Sequence, residues 1–246
     1  MRKLSRPVEL QELTNARRTY ASIRSADEAW EKFGDNGDRK KVREQLEKAR
    51  ANSSERELLQ LLKENSFLFS ELFSRHFGIQ PIFSEVSFGN NFRCDFCWLN
   101  DNSDGPEWVL VEIEKPRARL FNQNNEPSAE LNHGIEQVKS WQRYFDFYPA
   151  EKRRIFGAVS KFRYILIIGE KSDWEKREAS LWRAFENQNS IEIRSMNIFD
   201  RAIENYEKIP DHYWSFEENP HVLNAKKLQT YWEEYPYIMI WREMLP

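Results

Sequence analysis

At 246 residues the chain has room for one large or two small domains, and a 40% hydrophobic fraction is enough for a sizeable core. With 37 basic against 40 acidic residues the net charge is only −3, so no global field recruits nucleic acid or a membrane, and a polyanion partner must be met by a local patch. No apolar run approaches the roughly 20 residues that span a bilayer, and "MRKLSRPVELQ" lacks the apolar core of a secretion signal, so the expected location is cytoplasmic with no membrane partner.

Residues 1–51 read as a charged helical arm, broken at "GDNGD" and resuming in "DRKKVREQLEKARA". Its apolar positions are sparse, so it either packs one thin face on the main body or pairs with another copy of the chain, the basis for expecting a homo-oligomer. A helix follows over 53–73, with Ser54 and Glu57 at capping-box spacing and Leu58, Leu61, Leu62, Phe69 and Leu72 as its core face. From residue 81 the period changes to two: "PIFSEVSF", the turn "GNN", "FRCDFCWL", a polar loop "NDNSDGP", and "EWVLVEIEK" predict a three-stranded meander.

"SAELNHGIEQVKSWQRYFDFY" returns to helical spacing, with Leu131, Ile135, Val138, Trp141 and Phe145 near one stripe. "RYILIIG" reads as a strand covered on both faces, "DWEKREASLWRAFENQ" as a helix, "IEIRSM" as a last strand and "NIFDRAIENYEK" as another helix. This order predicts an α/β fold, a mixed sheet with helices on both faces, over residues 52–205. Residues 206–246 form an aromatic-rich extension, with Trp214, Trp232 and Trp241 expected in the core or an interface rather than as base-stacking platforms.

Two cysteines, Cys94 and Cys97, make a single CxxC, whereas a structural zinc site needs four ligands; His76, His133, His212 and His221 are scattered. The pair reads as two reduced thiols on a strand.

The informative stretch is "VLVEIEKP". Alternation puts Leu110, Glu112 and Glu114 on one side of the third strand; on its neighbour Arg93, Asp95 and Cys97 share one face, with Phe92, Cys94, Phe96 and Trp98 on the other. Asp95 then falls on the Glu112 and Glu114 side. Carboxylates so close persist only with protons, basic partners or a cation, and an oxygen-only donor set favours Mg²⁺ or Mn²⁺. The plain alternatives are an Asp95–Arg93 ion pair and a surface glutamate at 114.

"RCDF", a loop, "VLVEIEKP" and "LNHGIEQVKSW" together resemble the PD-(D/E)xK nuclease superfamily, and most closely its Shedu anti-phage defence branch, over roughly residues 55–200. The resemblance implies a restriction-endonuclease-like fold and a Mg²⁺-dependent DNA endonuclease. Asp95 and Glu112 would be the metal ligands, Glu114 would bind a second ion or orient water, Lys115 would steady the transition-state charge, and Gln137 would position the lysine or substrate. Glu57 stands where a helix acid could lie. One departure is plain: an E-x-K motif would place lysine at 114, yet Glu114 stands there and Lys115 follows, so the lysine needs a twist or bulge at the strand end to turn inward.

His133, Gln137 and Trp141 share a helix side that could line the site. Arg93, Arg117 and His133 are candidate substrate contacts, Arg117 lying with Arg119 in a segment whose ordinary reading is a solvated loop. The displaced lysine favours an alternative, a degenerate module that binds nucleic acid or a partner protein without cleaving it. A third reading has the glutamates bridging subunits without any metal.

Overall fold

A computed structural model of the protein describes residues 36–74, 79–188 and 191–245; most of the predicted arm and His76 lie outside them. Helix α1 (Asn36–Ala51) buries Val42, Leu46 and Ala49, which recur at helical spacing on one narrow face. Arg50 fixes its end to the body: the guanidinium donates to both oxygens of Asp200 at 2.8 and 2.7 Å and to the Met196 carbonyl at 2.8 Å. The thin apolar face of α1 thus packs on the same chain, and its charged face, Lys40, Lys41, Glu44, Glu47 and Lys48, is exposed.

Helix α2 (Glu55–Glu64) starts at Ser54, whose hydroxyl accepts the Glu57 N–H at 3.2 Å. Only half of the expected capping box forms. The Ser54 N–H donates to the Ala49 carbonyl, and the Glu57 carboxylate takes the Asn52 amide instead. The predicted single helix over 53–73 is interrupted at Asn65, whose N–H bonds back to the Leu62 carbonyl, and continues as a 3₁₀ segment, Ser66–Leu72. All five predicted core residues are nonetheless buried.

Strands β1 (Ile82–Phe88), β2 (Phe92–Asn102) and β3 (Gly105–Ile113) form the antiparallel meander. The expected polar loop at 100–106 is mostly strand: Asn100 pairs with Glu107 and Asn102 with Gly105, leaving Ser103 and Asp104 as the turn. The Asn100 amide donates to the Glu107 carboxylate, so polar residues pair across the ladder here. Helices α3 (Ala129–Phe147) and α4 (Pro149–Phe156) lead to β4 (Lys161–Ile167), parallel to β3; α5 (Lys171–Trp174) and α6 (Arg177–Gln188) lead to β5 (Ile191–Arg194), parallel to β4. After α7 (Asn197–Lys208), a 3₁₀ turn and α8 (Trp214–Glu218), the short β6 (Leu223–Asn224) pairs parallel with β1, and α9 (Ala225–Glu234) and α10 (Pro236–Met244) close the chain.

The result is a six-stranded mixed sheet, ordered β5-β4-β3-β2-β1-β6, flanked by helices. One core holds α1, α2, the 3₁₀ segment and α7 against Ile82, Phe96, Trp98, Val109, Val111 and Ile113. The other holds α3, α4, α9 and α10 against Phe83, Cys97, Trp108 and Leu110, and it takes in Trp232, with Trp241 packed at its edge. Every residue of the central β3 is buried. Among the described residues no helix is long and apolar enough to cross a membrane.

One irregularity shapes the site. Phe83 and Cys97 face the same core as Val86, Phe88 and Cys94, which strict alternation forbids. Both β1 and β2 shift phase at the same level, where Glu85, in the left-handed region at φ +55°, lies opposite Asp95 between the paired positions Ser84–Phe96 and Val86–Cys94. The expected division of β2 into an Arg93, Asp95 and Cys97 face and a Cys94 and Phe96 face is therefore wrong: Cys94 and Cys97 share one core and Phe96 faces the other. Lys63 at 2.8 Å and Arg93 at 3.5 Å hold the Glu85 carboxylate in place.

Candidate active site

The ladder between β2 and β3 ends at the pair Phe96–Val111. One residue beyond, the Asp95 side chain replaces backbone pairing: its Oδ2 accepts the Ile113 N–H at 2.8 Å. Asp95 and Glu112 are both at least nine-tenths buried, because each is flanked by apolar neighbours in the middle of a covered sheet. Glu112 Oε1 accepts a hydrogen bond from the Gln137 amide of α3. Its other oxygen, Oε2, is buried with no protein partner, a costly state for a carboxylate unless a proton or cation supplies one.

Electrostatics ties the group together. Burial pushes Asp95 up to about 7 against the pull of the Ile113 N–H; the charges of Glu55 and Glu114 add to the rise and Arg93 opposes it. Burial also raises Glu112 well above the usual carboxylate range, reinforced by Asp95, then Glu114, Cys94 and Glu55. Glu114, half-buried, is raised by burial and by Glu55, and lowered by His133 and Lys115. Gly134 of α3 makes room for it: a Cβ there would stand 3.0 Å from Glu114 Oε1.

Glu55, in the first turn of α2, is the acid that sequence reasoning missed. The capping-box spacing drew attention to Glu57, which is exposed and bound to Asn52. The available signal was the position of Glu55 directly after the Ser54 cap, where the helix N-terminus favours an anion. Asp95, Glu112, Glu114, Gln137 and His133 do come together, with Arg93 at the edge, where its side chain is 59% exposed and paired with Glu85.

Lys115 differs from the expectation. Strand β3 stops at Ile113, and the Ala118 N–H closes a turn onto the Lys115 carbonyl, with Pro116 inside it. No bulge turns the lysine inward; its side chain is exposed, although its charge is felt at Glu114. Arg117 is also exposed; its backbone N–H donates to Ser53 and its charge acts on Glu170. Cys94 and Cys97 are buried free thiols, Cys94 raised by burial and by its neighbour Cys97.

The fit to a divalent cation can be judged from these contacts. Among the described residues, no three His, Cys, Asp or Glu side chains are gathered tightly enough to cage a metal unaided. Mg²⁺ does not require that, since it keeps several waters and takes one or two carboxylates plus substrate oxygens. The unpartnered Glu112 oxygen beside Asp95 suits such a site.

A mixed sheet flanked by helices, with buried acids on two neighbouring strands and further acids at the strand end and a helix start acting on them through their charge, defines an α/β protein with an acidic site at the end of its central strand. The chain belongs to the family described as Shedu protein SduA, C-terminal, whose model matches residues 52–200. The matched span contains Glu55, Asp95, Glu112, Glu114 and Gln137; α9, α10 and β6 lie outside it. Among curated proteins none matches the chain.

Proposed function

We propose that the protein is a metal-dependent DNA endonuclease of the PD-(D/E)xK type, acting in anti-phage defence as its membership of the Shedu family suggests. The observation that carries this reading is Glu112, buried in the central strand with one oxygen held by Gln137 and the other without a protein partner, beside a second buried acid. A strand that served the core alone would carry an apolar residue there.

In this reading Asp95 and Glu112 hold Mg²⁺, with Mn²⁺ a ready substitute. The bound ion supplies charge stabilisation at the phosphoryl group and makes water more acidic. The Ile113 N–H and the Gln137 amide orient the two carboxylates. Glu114, made more basic by burial, would take the proton from an attacking water. Lys115, whose positive charge reaches Glu114, would steady the negative charge that grows on the phosphate, with His133 offering a ring N–H to the same group. Arg93 offers a further phosphate contact at the rim.

A second reading is favoured by one observation: Lys115 is exposed and lies beyond the strand end, as expected of a module that binds DNA or a partner without cutting. One assay separates the two. Supercoiled plasmid is incubated with the protein in Mg²⁺, Mn²⁺ or EDTA, beside the isosteric variant Glu112→Gln. Nicking that needs the metal and vanishes in the variant supports the enzyme; binding with no nicking under either metal leaves the binding module.

A further inference from the structure

A groove of about 340 Å³ opens beside the acids, between the β1–β2 turn and α3. Gln137 belongs to both, lining the groove while donating to Glu112, so the groove begins where the acidic site ends. Arg93, which also pairs with Glu85 at 3.5 Å, brings positive charge to it, His133, Asn91 and Ser140 bring hydrogen-bonding groups, and Phe92 and the buried Trp141 bring apolar surface. The one acid in its lining, Glu136, is paired with Arg143, which also donates to the Ser140 hydroxyl at 2.8 Å. This volume stands at the low end of small-ligand sites. The groove is open to solvent, with room for a group about the size of one nucleotide.

A run of aromatic rings leads away from the groove. Phe92 meets Tyr144 with centroids 5.4 Å apart, and Tyr144 meets Tyr148 at 4.9 Å. Tyr144 is held over the hairpin turn at Gly89, which has φ +57° and where even a Cβ would come within 2.9 Å of the Tyr144 ring. At the far end Tyr148 is 56% and Phe147 78% exposed. Rings that run from a groove carrying an arginine out to an exposed end are the ingredients of single-strand binding: bases stack on aromatic faces without regard to sequence while basic side chains meet the backbone.

We propose that the groove and the run Phe92–Tyr144–Tyr148 bind unpaired DNA next to the scissile phosphate, one nucleotide seated beside Gln137 and its neighbours following the rings. The substrate class is then a strand at a gap, end, flap or opened duplex rather than intact double helix. This inference rests on the endonuclease reading, from which the following test separates it.

Binding is read by fluorescence anisotropy in EDTA, where nothing is cut, with a thymidine oligonucleotide about 15 nucleotides long, matching typical single-strand footprints, a duplex of equal length, and the same single strand made abasic throughout. The intact single strand should bind tighter than the duplex. Tyr148→Ala, at an exposed position, should weaken the single strand about 5- to 100-fold and the duplex less than about twofold, and the abasic strand should lose a similar factor against the unaltered protein, with no change in fold involved. Light scattering of the variant should give the mass of the wild type. Equal losses for both DNAs, an abasic strand that binds as well as the intact one, or a variant altered in mass but not in DNA binding each overturn the proposal, the last assigning the rings to contact between copies. Where plasmid nicking persists through such a result, the endonuclease reading stands and only the single-strand site falls; where the wild type binds neither DNA, both fall.

Discussion

The acidic site should cost the protein stability, and Asp95 gives the magnitude. Burial carries its pKa from 3.8 to about 7. Between those values the folded chain keeps the proton and the unfolded chain has released it, so stability is complete below about pH 4, falls as pH rises, and levels off above pH 7. A shift of about three units at roughly 1.4 kcal/mol each amounts to ~4 kcal/mol, and with Asp95 almost fully buried no large solvent discount applies. Asp95→Asn keeps an oxygen for the Ile113 N–H and removes the charge.

Urea unfolding of both proteins at half-unit steps from pH 4 to 8, in EDTA, measures the effect. The gap between the curves should be small at pH 4 and grow to several kcal/mol in favour of the variant by pH 8. Glu112 and Glu114 are raised in the same direction, so the wild-type curve alone should be steeper still; the difference reports Asp95 together with the rise its charge imposes on Glu112. Saturating Mn²⁺ at pH 8 should stabilise the wild type by about 2.7 kcal/mol at one hundred times its dissociation constant and leave the variant nearly unmoved. A variant less stable than the wild type at pH 8, or a gap that does not vary with pH, would refute the claim that Asp95 is held charged against burial.

Two further perturbations address other parts of the structure. Gln137→Ala leaves Glu112 Oε1 without its donor and should raise the Mn²⁺ concentration for half-maximal nicking about 10- to 100-fold, at a stability cost of about 1–3 kcal/mol for the buried acceptor left unpaired; an unchanged metal requirement would contradict its orienting role. Arg50→Ala removes the bonds to Asp200 and Met196 and the 3.5 Å contact with Glu170, all at a partly buried joint between α1 and α7. It should cost about 2–4 kcal/mol in urea while nicking below the unfolding temperature is retained, since the partners of Arg50 are Asp200, Met196 and Glu170 and none of the site's acids.

Much of the architecture was legible in the chain itself. Local periodicity located the meander, the α3 stripe of Leu131, Ile135, Val138, Trp141 and Phe145, and the α7 span, because each follows from side chains near in sequence sorting between water and core. Glu112 was conspicuous for the same reason: a charge inside an apolar run has to be explained. The helix break at Asn65 and the extension of β2 through Asn100 were not legible, since pairing with Glu107 and the hydrogen bond to Leu62 are choices made among competing polar partners.

What the sequence determined by itself is the order of elements, the two-sided burial of β4 and the acids that β3 carries, all consequences of hydrophobic spacing. Only the tertiary structure decided which carboxylates meet. The phase change at Glu85 and Asp95 depends on two strands distorting together, so that Cys94 turns to the Cys97 side and Asp95 bonds across to Ile113. The selection of Glu55 over Glu57 depends on the angle at which α2 reaches the sheet, and the exposure of Lys115 on where β3 parts from its neighbours. Such contacts join residues far apart in the chain, and their strength comes from burial and geometry that no local pattern of residues encodes.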